Sequence, residues 1–145
     1  YGLLIDAIQD TEEIVVKPLQ GALKDLRSYS GATVLGDGTV ALILDVIGVA
    51  EMSGIDVSNG QPDFEAAPTR SSGLGPQPHL VFRAGGDQLC AVSLAGVARL
   101  EQVKVSAIER VAGREVTQYR GSIMPIVRSE ALLPIGVSVG VDEIQ

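Results

Sequence analysis

Apolar residues occur along this chain in short blocks, each closed by glycine, proline or a polar cluster. The pattern is clearest where Gly31-Ala32-Thr33-Val34-Leu35 is followed by Gly36-Asp37-Gly38 and then by Thr39 through Val46. Aliphatic arms on both sides of a Gly-Asp-Gly reversal predict a β-hairpin. In the second arm Val40, Leu42, Leu44 and Val46 share one face, while Ala41 and Ile43 occupy the other. Both faces are therefore expected to be covered. Asp45 stands where an N-cap is needed for a short helix reaching about Met52.

The same reading extends to the rest of the chain. Residues 2–8 predict a strand and residues 12–17 a second, with Gln9-Asp10-Thr11 as the turn between them. Pro18 stops strand pairing, and Leu19, Ala22, Leu23 and Leu26 then fall on one helical stripe, which Gly21 limits to a short helix. Residues 79–83 and 88–94 flank Gly85-Gly86-Asp87 and predict a hairpin. Another strand is expected within 97–105, and a turn or short strand at 106–111. Residues 115–119 and 122–127 form a further hairpin around Arg120-Gly121. A helical turn is expected at 128–133, and 137–144 reads as a last strand or a frayed tail. Between Gly54 and Pro78 periodicity is lost, and four glycines and four prolines (both named residues included) mark a linker. Short strands with turn signals every ~8–12 residues indicate small β-barrels or sandwiches.

Composition narrows this picture. Of 145 residues, 46% are hydrophobic but only 3% aromatic, with no tryptophan, so the core must be aliphatic. The net charge is −7, which argues against a nucleic-acid partner, since phosphate binding needs a basic face. It also argues against an anionic membrane surface. The charge is uneven: residues 1–55 carry net −5, residues 56–77 net −2, and residues 78–145 seven charges of each sign. That division suggests two units. No apolar run reaches the ~18 residues of a membrane span, because Asp45 breaks the longest, and no signal-peptide pattern opens the chain. A soluble protein is expected, one that starts and stops mid-architecture. The single cysteine, Cys90, excludes an intrachain disulfide and reads as a small buried hydrophobe.

Candidate chemistry is sparse. Gly31 and Gly36 have the glycine spacing of a phosphate loop, but Asp37-Gly38 stands where lysine and a hydroxyl are required, so a hairpin turn is the better reading. His79, the only histidine, lacks the company a triad or zinc site needs and reads as a polar strand end. The adjacent acids Glu12-Glu13 and Asp142-Glu143 point to opposite faces of a strand and cannot act as a pair. Arg120 before Gly121, followed by Ile123, Met124, Pro125 and Ile126, places a cation beside an apolar ridge. That is either a surface turn or an interaction anchor. No catalytic, cofactor-binding or metal-ligating set is expected. Gly31, Gly36, Gly38 and Gly121 are expected to shape turns.

Gly2-Leu3-Leu4-Ile5-Asp6, Asp10-Thr11-Glu12-Glu13-Ile14-Val15-Val16-Lys17-Pro18-Leu19 and the whole run from Gly31 to Val46 resemble the C-terminal part of the regulatory region of the chemotaxis histidine kinases (CheA). His79-Leu80-Val81-Phe82, Gly85-Gly86, Cys90-Ala91-Val92-Ser93-Leu94 with Val97, and Arg120-Gly121-Ser122-Ile123-Met124-Pro125-Ile126-Val127 resemble the start of a CheW-like domain. Arg128-Ser129-Glu130 departs from the aspartate-leucine that the family often has there.

The resemblance implies a mainly β fold of two small SH3-like five-stranded barrels of CheW type with short helices. Residues 1–55 would be the second barrel of one CheW-like domain, 56–77 a linker, and 78–145 the first barrel of the next, the two halves packing together as a permuted pair. It implies a cytoplasmic, non-catalytic regulatory region of a two-component sensor kinase, without cofactors. Partners would be a CheW-like adaptor, the cytoplasmic tip of a chemoreceptor and other CheW-like barrels, with Arg120, Ile123 and Pro125 as contact candidates. Two alternatives remain: a stand-alone CheW-type coupling scaffold, or a small-molecule-binding barrel, which would require a polar cluster in a deep pocket.

Overall fold

A computed structural model describes residues 1–20, 25–56 and 75–132. Its strands are β1 (Gly2–Leu4), β2 (Ala7–Ile14), β3 (Tyr29–Val34), β4 (Val40–Leu44), β5 (Gln77–Ala84), β6 (Gln88–Ser93), β7 (Ile108–Val111), β8 (Arg114–Tyr119) and β9 (Ser122–Arg128). The α-helix α1 spans Val46–Met52, and single 3₁₀ turns lie at Leu94–Gly96, Val105–Ala107 and Ser129–Leu132. The fold is mainly β, with two sheets: a five-stranded one in the order β2-β5-β6-β4-β3 and a four-stranded one in the order β1-β9-β8-β7.

Both sheets take strands from both sides of the 56–77 stretch. β2 pairs with β5 antiparallel, β4 with β6 parallel and β1 with β9 parallel. The change of charge along the chain therefore does not mark a boundary between sheets. Among the described residues neither sheet is a closed five-stranded barrel: the smaller has four strands, and the edges of the larger meet where Lys17 and Ala32 exchange backbone hydrogen bonds, each 2.9 Å.

The hairpin around Gly36-Asp37-Gly38 forms as expected, although its second arm ends at Leu44 and Val46 belongs to α1. Leu35 and Thr39 close it, the Gly38 amide donates to the Leu35 carbonyl, and Gly38 takes φ +85°. This is a tight turn followed by a left-handed glycine, a standard three-residue hairpin loop. The Asp37 carboxylate accepts from the Thr39 amide at 2.8 Å, and that bond holds its carboxyl below the usual range. Both faces of β4 are covered, since Ala41, Leu42, Ile43 and Leu44 are all buried.

Asp45 caps α1 as the sequence predicts, its Oδ1 accepting from Ile47 N at 3.0 Å and Gly48 N at 3.2 Å. At the other end Gly54, at φ +65°, donates to Glu51 O while Ile55 N donates to Ala50 O. These two bonds satisfy the last carbonyls of the helix. Asp45→Ala is expected to cost about 1 kcal/mol, read as a lower urea midpoint with an unchanged slope.

Two expectations are corrected. Gln9-Asp10-Thr11 is not a turn: β2 runs continuously from Ala7 to Ile14 and absorbs the irregularity as a bulge between Ile8 and Asp10. The ladder of seven pairs with β5 outweighs the local turn tendency, and its partner lies some seventy residues along the chain. Residues 97–105 are not a strand either. Only Val97 packs against the core at its start; Leu100 is half exposed and Val105 is 79% exposed, and the stretch crosses the surface from one sheet to the other. The stripe from Leu19 to Leu26, most of the 56–77 stretch and residues 137–144 fall partly or wholly outside the described residues.

One core cluster spans the two segments. It includes Tyr29, Leu42 and Val49 from the first, and Leu80, Phe82, Cys90 and Val127 from the second. Cys90 is 1% exposed, as read from the sequence, and burial pushes its thiol from 9.0 to about 12. The folded chain keeps this proton where the unfolded chain has released it. The associated stability is intact below pH ~8.5 and declines as pH rises from there toward 12. An aromatic disulfide reagent at pH 8 is expected to leave Cys90 unmodified in the native chain and to modify it fully in guanidinium.

Candidate protein-interaction surface

The β8–β9 hairpin turns on Arg120-Gly121, with φ +48° and +81°, between the paired residues Tyr119 and Ser122. Two left-handed residues in a two-residue loop match the right-handed twist of the strands. The Arg120 guanidinium lies 5.6 Å from the centre of the Tyr119 ring, a cation–π contact that holds the side chain at the hairpin tip.

Ile123 and Pro125 alternate along β9 and so share a face. Ile123, opposite Gln118, is 71% exposed; Pro125, opposite Val116, is half-buried. Pro125 also lines an open groove of about 310 Å³ with Ser53, Ile55, Arg110, Glu115 and Arg128. The three contact candidates thus lie along one hairpin, with Arg120 and Ile123 at its free end and Pro125 nearer the helix.

The turn glycines differ in what they do. Gly38 and Gly121 need left-handed backbone. Gly31 permits a close crossing, since a Cβ there would strike the Val16 side chain and sit 2.5 Å from the Lys17 carbonyl oxygen. Gly36 has open space around it and no left-handed φ, so the hairpin does not require glycine at that position. All of Gly31, Gly36 and Gly38 belong to the five-stranded sheet, away from Gly121.

Sequence reasoning missed the charged network on the groove. Arg128 Nε and Nη2 donate to the two Glu115 carboxylate oxygens at 2.7 and 3.1 Å. This fork-to-fork pair holds the Glu115 carboxyl below its ordinary range, Arg128 contributing more than Arg110 at 3.8 Å. Arg114 Nη1 donates to the Gly54 carbonyl at 3.0 Å, tying the end of α1 to β8. These partners sit on different strands, and only the helix-ending glycine carried a sequence signal. His79 is 2% exposed within β5 rather than at an open strand end, and its Nδ1 donates to the Gln77 carbonyl at 2.8 Å. Neither arrangement joins a nucleophile to a base.

Comparison with known proteins places this geometry. The CheW-like domain model matches residues 1–53. Chemotaxis protein CheA of Treponema pallidum is 44% identical over 45 residues, 31% of this chain and 6% of that protein. CheA of Klebsiella aerogenes is 46% identical over 46 residues, 32% of this chain and 7% of that protein. The solved structure of the scaffolding protein TtCheW from Thermoanaerobacter tengcongensis superposes with a TM-score of 0.56, covering 94% of this chain and 86% of that one at 12% identity.

Residues 1–53 are CheW-like in sequence, and the chain is CheW-like in fold. The chain spans less than a tenth of the CheA proteins it matches. The family model covers residues 1–53, and the CheW-like fold extends through strands from both segments. Among the described residues no helix is long and apolar enough to cross a membrane.

Proposed function

We propose that this chain is a non-catalytic coupling region of a cytoplasmic chemotaxis-type sensor histidine kinase, joining the kinase to a CheW-like adaptor and to chemoreceptor tips by packing one CheW-like surface against another. In this reading residues 1–55 are the second half of one CheW-like domain, 56–77 the linker, and 78–145 the first half of the next. The observation that carries it is the likeness of the first segment to CheA proteins, including a sensor histidine kinase, CheAY of Helicobacter pylori, at 42% identity over 52 residues. The interleaved strands support the idea that each segment needs a complement.

A second reading is a stand-alone coupling scaffold. It is favoured by the 86% coverage of a CheW scaffolding protein. The gene sequence upstream of Tyr1 separates the two: ATP-binding boxes there identify a kinase, and their absence identifies a scaffold.

The interaction surface is assigned to the β8–β9 hairpin. The pair Arg120→Ala and Ile123→Asp removes the tip cation and charges the exposed apolar residue. It is expected to weaken adaptor pull-down at least ~10-fold, equivalent to about 1.4 kcal/mol, with an unchanged circular dichroism spectrum. Wild-type capture of both adaptor and receptor by this variant rules the hairpin out.

A further inference from the structure

We propose that residues 1–56 and 75–132 are exchangeable between copies of this chain, so that each segment can be completed by a second copy carrying the same strands. The inference rests on strand pairing and does not depend on which signalling protein the chain serves.

Within segment 1–56 the strand ladder is β3–β4, and within segment 75–132 the ladders are β5–β6, β7–β8 and β8–β9. Every other ladder crosses between segments: β1–β9, β2–β5 and β4–β6. A segment parted from its complement exposes the β4 edge, where Ala41, Leu42 and Ile43 are buried against β6, and the inner flanks of Val49, Phe82 and Cys90. Such edges and apolar faces must be covered. The covering strands are the same whichever copy supplies them, because no ladder between the segments depends on the covalent connection.

That connection is the 18 residues 57–74. A linker of such length holds its two ends at an effective concentration on the order of mM. The closed monomer therefore dominates at micromolar protein, and exchange becomes comparable as the chain approaches millimolar concentration. Exchange of identical elements gives dimers with native contacts throughout.

The ladder offers a direct probe. Glu13 on β2 faces Pro78 on β5, and both are exposed; opposed strand residues lie within disulfide reach. Cys90 is buried and does not compete. One full-length chain carries Glu13→Cys and another, differently tagged, carries Pro78→Cys. The two are unfolded, mixed, refolded together and oxidised with glutathione disulfide. The expected product is a mixed covalent dimer whose yield rises roughly a hundredfold between ~10 µM and ~1 mM protein. A single chain carrying both substitutions is expected to close the same bond within itself at ~10 µM. The proposal is overturned if that double variant closes while the two single variants give no mixed dimer at ~1 mM. It is equally overturned if Glu51→Cys, exposed on α1 and off the ladder, traps as much dimer as Pro78→Cys.

Discussion

Gly48→Ala is expected to lower the melting temperature by about 7 °C or more. Gly48 lies in the first turn of α1, and a Cβ there would run into the carbonyl oxygen of Arg27. That atom is backbone and is held in place by its neighbours: Ser28 is 1% exposed, and its carbonyl accepts the Asp45 amide at 2.9 Å. The helix can move away only by breaking the cap that Asp45 supplies. Alanine gains about 1 kcal/mol of helix propensity over glycine. Overpacking against a fixed backbone costs more, about 3 kcal/mol or above in so tight a contact, which leaves a net loss of about 2 kcal/mol or more, or about 7 °C for a chain of this size. Gly36→Ala serves as the control, because nothing lies within 4 Å of its Cβ position; it is expected to melt within about 1 °C of wild type. A Gly48→Ala protein as stable as wild type would show that α1 is not seated on residues 27–28.

The contrast between these glycines marks how far the sequence could be read. Local features were legible: the Gly-Asp-Gly reversal, the Asp45 cap, the Arg120-Gly121 turn and the burial of Cys90 all follow from short-range chemistry. Gly36 and Gly38 are both expected to shape the turn, yet of the two only Gly38 takes the left-handed conformation. Gly48 passed unnoticed because its constraint comes from Arg27, across the β3–β4 hairpin. The bulged strand β2 was hidden for the same reason, since its partner β5 is remote. Residues 97–105 carried strand-like composition, but beyond Val97 they leave Leu100 and Val105 exposed. At the candidate surface, the tip cation and the Ile123–Pro125 ridge were visible in order along one hairpin. The Glu115–Arg128 pair and the Arg114 bond to Gly54 were not, because they join elements whose adjacency only the folded sheet establishes.

Both core clusters draw on both segments, with Leu42 and Val49 against Phe82 and Cys90 in one, and Ile43 against Val81 and Ala91 in the other. Both clusters thus lie across the charge division along the chain. Tyr29 adds a polar link, its hydroxyl donating to the Leu132 carbonyl at 2.7 Å. Burial pushes that phenol well above its usual range.

The largest single loss is expected at Phe82. Its side chain is fully buried in β5 between partners Ile8 and Cys90. Phe82→Ala is expected to cost about 3–5 kcal/mol, a large part of the ~5–15 kcal/mol that holds a domain together. Because the cavity opens where residues 1–56 meet 75–132, both segments should lose structure in one step. Urea unfolding followed by circular dichroism and by tyrosine fluorescence should show coincident transitions at a lowered midpoint with an unchanged slope. Two separated transitions, or a destabilisation confined to one sheet, would show that the segments fold independently and that the ladders joining them contribute little. Adaptor capture should fail in Phe82→Ala only as the fraction folded falls, whereas the Arg120→Ala/Ile123→Asp pair should lose capture while fully folded. That difference separates a residue that holds the CheW-like fold from residues that present its surface.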